Sequence, residues 1–255
     1  MPLKPTFSHL ARKFMPALLL VPLMTPASAQ TFPEAEKEEI RTIVREYLLE
    51  NPEVITEALD ALGTRQKLAE ETARLDAVTN LQDQIFDSPY QVVMGNPDGD
   101  VTMVEFFDYN CGFCKRAHKD MLALMDSDPG LRFVLKEFPV LGQGSVEAAR
   151  ISIAVNELAP EKFPEFHLQV LLGPGQANAA KAIKVATSLG IDPDELEAAT
   201  KSDLAAQTIQ EVYMLADGLG LTGTPSYVVG SKVLFGAVGE QELRDSIEAA
   251  RDEKS

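Results

Sequence analysis

Across residues 33–62, Ile40, Ile43, Val44, Tyr47 and Leu48 recur at three- and four-residue spacing among charged neighbours. That period predicts an amphipathic helix. Asn51-Pro52 interrupts it and predicts a second helix, with asparagine as its cap and proline in its first turn. Gly63 permits a bend, and 66–86 reads as a further amphipathic stretch in which Leu68, Leu75, Val78 and Ile85 make a thin heptad-like seam. At Ser88 the texture changes. Residues 90–94 and 101–107 are runs of β-formers separated by Asn96-Pro97-Asp98-Gly99-Asp100, which predicts strand, turn, strand. Residues 115–125 then read as a helix and 131–137 as a strand, and a strand-helix-strand unit predicts a parallel pair. Residues 145–219 are helical in pattern, broken at Pro160, Gly173-Pro174-Gly175, Gly190 and Pro193. Strands at 226–229 and 232–235 and a helix at 240–251 close the chain.

The beginning of the chain has another pattern. Lys4, Arg12 and Lys13 precede an apolar run over 14–24, and Ala27-Ser28-Ala29 follows, which are the three regions of a secretory signal peptide. The apolar run falls short of the roughly 20 residues of a membrane span, and Pro16 and Pro22 interrupt it. The expected organisation is a signal peptide at 1–29, a helical segment at 30–87, and an α/β domain at 88–255 with a helical insertion at about 145–219. Removing the leader, with its three basic and no acidic residues, takes the formal charge from −16 to −19. Such a field repels phosphate backbones, so no nucleic-acid partner is expected.

Two cysteines occur, both in Cys111-Gly112-Phe113-Cys114. A staple this short closes too small a loop to stabilise much, about 2 kcal/mol against about 4.7 kcal/mol for a 100-residue loop. The position between a strand and a helix offers a different use. Unpaired N–H groups at the helix start favour a thiolate, which makes Cys111 the expected nucleophile and Cys114, one turn deeper, the group that resolves the mixed disulfide. Zinc would need a second ligand pair that the chain lacks, and His118, four residues after Cys114, reads as a helix-surface residue. No metal and no cofactor are expected. Cu(I) accepts two soft thiolates, so a periplasmic Cu(I) carrier or copper-tolerance protein is the competing function.

The run Glu105-Phe-Phe-Asp-Tyr-Asn-Cys-Gly-Phe-Cys114, with Lys136-Glu-Phe-Pro139 and Thr222-Gly-Thr-Pro-Ser226, resembles the DsbA-like periplasmic thiol-disulfide oxidoreductases of thioredoxin fold. Within them it resembles the suppressor-of-copper-sensitivity protein C (ScsC-like) group, which carries an N-terminal helical stalk. The resemblance implies a thioredoxin-like fold with a helical insertion, preceded by an N-terminal helical oligomerisation segment. It also implies disulfide exchange with exported cysteine-containing proteins and a membrane thiol-disulfide redox partner. At Pro225 it implies a cis-proline beside the reactive sulfur, with Thr224 and Pro225 meeting substrate; read without it, Pro225 is an ordinary trans-proline at the start of a strand. Glu105 lies in a strongly apolar strand. Either it is buried, with a raised pKa, and exchanges a proton with Cys114, as the resemblance implies, or it faces water at a strand edge. Lys136 is its expected partner. Gly112-Phe113 and Thr224 resemble the Gly-Tyr pair and the threonine of DsbC-type disulfide isomerases, at positions where the oxidases usually carry Pro-His and valine. The apolar seam and the stalked relatives together set the expectation of a homo-oligomer, with a trimer as the relatives' form.

Overall fold

The computed structural model describes residues 32–253. The expected signal peptide therefore lies outside the described residues. No helix among the described residues is long and apolar enough to cross a membrane.

The chain divides into two compact units, Met1–Asp60 and Ala61–Ser255. In the first, α1 (Glu34–Glu50) buries no residue, and Ile40, Ile43, Val44 and Tyr47 are exposed. Asn51 ends α1 by donating its side-chain amide to the Tyr47 carbonyl at 2.9 Å, so its side chain closes this helix and does not cap the next. The next helix, α2 (Glu53–Asn80), runs through Gly63 without the expected bend. A single helical glycine costs only about 1 kcal/mol, too little to break so long a helix.

In the second unit the end of α2 and α3 (Gln82–Phe86) enter a core. The seam divides there: Val78 and Ile85 are buried, whereas Leu68 and Leu75 are 64% and 49% exposed. The compact units divide at 60/61, and residues 78–85 pack with the residues that follow them.

Five strands follow the expected positions: β1 (Val92–Gly95), β2 (Val101–Phe107), β3 (Leu131–Glu137), β4 (Ser226–Val229) and β5 (Lys232–Phe235). They form one sheet in the order β1-β3-β2-β4-β5, in which β2 and β3 are parallel and the other pairs antiparallel. Between β2 and β3 runs α4 (Gly112–Ser127), the crossover that a parallel pair requires.

Pleating sorts the side chains onto two faces. Met103 and Phe107 of β2, Phe133 of β3 and Tyr227 of β4 join Met121 and Leu124 of α4 and Leu243 and Ile247 of α10 (Glu240–Asp252). Val104, Phe106, Val134 and Val228 point the other way, against Val78, Ile85 and the Val212 and Leu215 of α9 (Asp203–Gly218). The insertion consists of α5 (Gln143–Leu158), α6 (Phe163–Leu172), α7 (Ala179–Ser188), α8 (Pro193–Thr200) and α9. Its breaks fall at the expected prolines and glycines, plus one at Lys201-Ser202 that neither residue type announces.

Candidate active site

The loop between β2 and α4 is held from several sides. Asp108 is buried, and its Oδ1 accepts from the Asn110 amide at 2.7 Å and the Ser145 hydroxyl at 2.7 Å. Its Oδ2 accepts from the Val140 and Leu141 amides at 2.8 and 2.9 Å. One carboxylate thus ties the loop to the end of β3 and the start of α5. Asn110 adds a link to the insertion, accepting from the Ala177 amide at 2.8 Å and donating to the Ala177 carbonyl at 3.0 Å. Tyr109 is buried behind the loop, its hydroxyl 2.8 Å from Ser152 Oγ and 3.2 Å from His167 Nδ1.

This clamped loop delivers Cys111 as the N-cap of α4. Both cysteines are free thiols and buried. The Cys111 sulfur accepts from the Cys114 amide at 3.5 Å and, as a thiol, donates to the Thr224 carbonyl at 3.1 Å. Its pKa is lowered from 9.0 to about 5, first by the hydrogen bond from the Cys114 thiol, against burial, and then by the Thr224 side chain and the Cys114 and Phe113 amides. The donors at the helix start act on a sulfur they already touch. Cys114 behaves in the opposite way. Burial pushes its thiol far up, and the hydrogen bond it gives to Cys111 and the nearby Glu105 charge push in the same direction. The pair is an ionisable outer sulfur and a protonated inner one.

Glu105 is buried in β2, paired in register with Leu135 and Tyr227. Burial is the main reason its carboxyl rises to about 8, and repulsion from Cys111 and Asp120 adds to it. The strand-edge alternative is excluded, since the carboxyl faces the α4 side of a central strand. Lys136 is not its partner. It pairs in register with Phe106, so the pleat sends it to the opposite face. There it donates to the Gln84 carbonyl at 2.7 Å and lies 3.5 Å from Glu211.

The Thr224-Pro225 peptide bond is cis. The same loop presents the Thr224 carbonyl to Cys111 and enters β4 one residue later. Phe113 projects from the start of α4, 57% exposed, with the Arg116 guanidinium 4.3 Å over its ring.

His118 departs from the expected surface position. It is 5% exposed, its ring lies 5.5 Å from that of His167, and neither ring nitrogen has a partner. The signal was available, because a residue four after the buried Cys114 shares its helical face. Asp108 and Tyr109 were also missed, although an aspartate two residues before Asn110 is the pattern of a side chain that turns its own backbone. Among the described residues no group of three or more His, Cys, Asp and Glu converges as a metal site.

Comparison with known proteins gives the arrangement its context. A family model described as a DSBA-like thioredoxin domain matches residues 102–248, and one described as the Copper resistance protein ScsC N-terminal domain matches residues 36–69. A thioredoxin-like oxidoreductase from Silicibacter pomeroyi DSS-3 is 38% identical, with a TM-score of 0.64 over 67% of this chain and 97% of that one. Proteus mirabilis ScsC in a transitional conformation is 26% identical, with a TM-score of 0.63 over 87% of this chain and 98% of that one. Disulfide bond formation protein D of Bacillus subtilis (strain 168) is 26% identical over 173 residues, 62% of this chain and 76% of that protein. The chain also matches a Na(+)/H(+) antiporter of Salinispora arenicola, but spans only 24% of its length.

Proposed function

From the premise that the chain belongs to the family of DSBA-like thioredoxin domains and is an oxidoreductase of that family, we propose that Cys111 and Cys114 exchange disulfides with exported proteins, in the direction of isomerisation more than of strong oxidation. The observation that carries this reading is the opposed ionisation of the two sulfurs, one lowered to about 5 at a helix start and the other raised by burial.

The Cys111 thiolate attacks one sulfur of a substrate disulfide, forming a mixed disulfide and releasing the other sulfur as a thiolate, which takes up a proton. Cys114 then gives up its proton and attacks Cys111. The new bond closes the protein disulfide, and the second substrate sulfur leaves as a thiol. That full cycle passes two electrons from the protein dithiol to the substrate; isomerisation is the redox-neutral branch, in which another thiolate of the same substrate attacks the mixed disulfide, forms a new substrate disulfide and releases the Cys111 thiolate. In this reading Glu105 takes the Cys114 proton, which is supported by a carboxyl with a pKa of about 8 that exchanges protons near neutral pH. Thr224 and Pro225 supply the loop against which the substrate chain lies.

Gly112, Phe113 and Thr224 support the isomerase preference. The exposed apolar side chains of α1 and α2, together with the match to an ScsC N-terminal domain, support a homo-oligomer. The leader-like pattern at residues 1–29 supports export to the periplasm, where a membrane redox partner would reset the pair. A second reading, Cu(I) held between the two sulfurs, draws on that same N-terminal match to a copper resistance protein.

The reduction potential tests the proposal together with assays of insulin reduction and of scrambled ribonuclease repair. A potential of about −200 mV with repair activity is expected, and a value of about −120 mV would overturn the isomerase preference. Failure of the reduced protein to exchange with any disulfide, alongside tight anaerobic Cu(I) uptake, would replace the enzyme with the carrier.

A further inference from the structure

Beside the cysteine pair, α4 and α6 border a cleft lined by Lys115, Arg116, His118, Lys119, Leu122, Leu168 and Leu172. Its chemistry is unlike the rest of a chain with 39 acidic and 23 basic residues. Leu122 and Leu172 are 45% and 48% exposed and give it an apolar rim. His118 lies at its base, buried, with both ring nitrogens unpartnered. A buried imidazole without a partner is a polar group awaiting one. Lys181 of α7 stands close by, and its pKa is lowered by burial and then by repulsion from Lys115. Lys115, Arg116, Lys119 and Lys181 form no ion pair with a carboxylate among the described residues.

We propose that this cleft selects the substrate polypeptide, holding a segment that carries two carboxylates at alternate positions after the reacting cysteine, with apolar residues between them. The inference rests on the disulfide-exchange reading of the site. Lys115 and Lys119, four residues apart, stand one above the other on α4. They lie about 6 and 12 Å along the helix from Cys111, at 1.5 Å per residue. An extended peptide advances about 3.3 Å per residue, and its alternate side chains share a side. Acidic residues two and four positions from the substrate cysteine therefore meet Lys115 and Lys119 in turn. The intervening side chains reach the leucine rim. Charge complementarity of this kind raises the encounter rate and fixes the register.

The test compares two synthetic peptides, Cys-Ala-Glu-Leu-Glu and Cys-Ala-Lys-Leu-Lys, each as its mixed disulfide with 2-mercaptoethanol, reacting with the reduced full-length protein at low salt. The acidic peptide is expected to react about tenfold faster, the preference falling as salt screens it. In the double variant Lys115→Glu, Lys119→Glu the preference is expected to invert, while the rate with neutral 2-hydroxyethyl disulfide stays unchanged, which also shows that the variant is folded. Should the double variant fail that control, Lys119→Ala alone is expected to lose about half of the preference on a logarithmic scale. Unchanged selectivity in the variant would overturn the proposal, and so would equal rates for a peptide whose glutamates are moved one position. Selectivity that stays unchanged while the lysines govern sedimentation with phosphatidylglycerol vesicles would make the surface membrane-facing. A lysine-dependent change of mass in light scattering, again without altered selectivity, would make it an interface between copies; either result overturns the proposal. If the wild type does not exchange with the neutral disulfide either, the disulfide-exchange reading itself fails, a result distinct from lost selectivity.

Discussion

At the scale of single residues, environment separates three ionisable groups in or beside one short motif. Cys111 touches donors at a helix start, Cys114 lies one turn inside the core, and Glu105 sits on the strand beneath them. The cysteine pair was legible in the sequence, because a Cys-X-X-Cys between a strand and a helix admits few uses; the apolar neighbours of Glu105 left two readings open, and its place on a central strand decides for burial. The partner of Glu105 was not. Lys136 looked suitable until register put it on the opposite face. The raised pKa of Glu105 makes stability depend on pH. Between its ordinary value of 4.5 and about 8, the folded protein keeps a proton that the unfolded chain releases. Stability therefore falls as pH rises through that window. Glu105→Gln should remove this slope, matching the wild type near pH 4 and melting at higher temperature at pH 8.5. The same variant should slow closure of the protein disulfide about a hundredfold, the usual scale of a lost general base. Thermal melts at several pH values and rapid-quench kinetics measure both, and parallel melting profiles would remove Glu105 from its assigned role.

At the scale of elements, β2, β3 and α4 came directly from their patterns, and the break at Asn51-Pro52 separates α1 from α2, whereas α2 continues through Gly63 to Asn80. Gly63 invited a bend, but nothing lies within 4 Å of where its side chain would be and nothing pulls the helix aside there. The heptad-like spacing was real, yet Val78 and Ile85 found partners on α9, a contact between residues far apart in sequence that no local period reveals. The attachment of the active-site loop was invisible for the same reason. Asp108 joins the loop to residues 140, 141 and 145 through four hydrogen bonds, including that to Asn110 within the loop. Asp108→Ala would leave buried donors unpaired, at a cost of about 3 kcal/mol. Urea unfolding should show that loss. Thiol exchange should slow as well, because the loop no longer presents Cys111 in one position. A variant as stable as the wild type would mean that water replaces the carboxylate at no cost.

At the scale of the whole molecule, the acidic charge and the leader pattern exclude partners more than they name them, and the family comparison supplies the rest. The placement of Val78 and Ile85 changes how the helical segment should be dissected. A protein beginning at Ala61 retains both side chains, whereas one beginning at Ser88 loses them from the core. The first should stay folded and be monomeric by light scattering while the full-length protein is an oligomer. The second should be less stable by about 2 to 5 kcal/mol, the range for emptied aliphatic sites. A monomeric full-length protein would leave the exposed apolar positions of α1 and α2 without that explanation.

Disulfide exchange depends on the division of labour between the two sulfurs, and trapping of mixed disulfides reads it directly. With Cys114→Ser the Cys111 thiolate still attacks but cannot be released, so adducts should accumulate, and peptide mapping should place them on Cys111. With Cys111→Ser the remaining sulfur is buried and protonated, and adducts should be absent. Adducts forming equally through Cys114 in the Cys111→Ser protein would contradict the account.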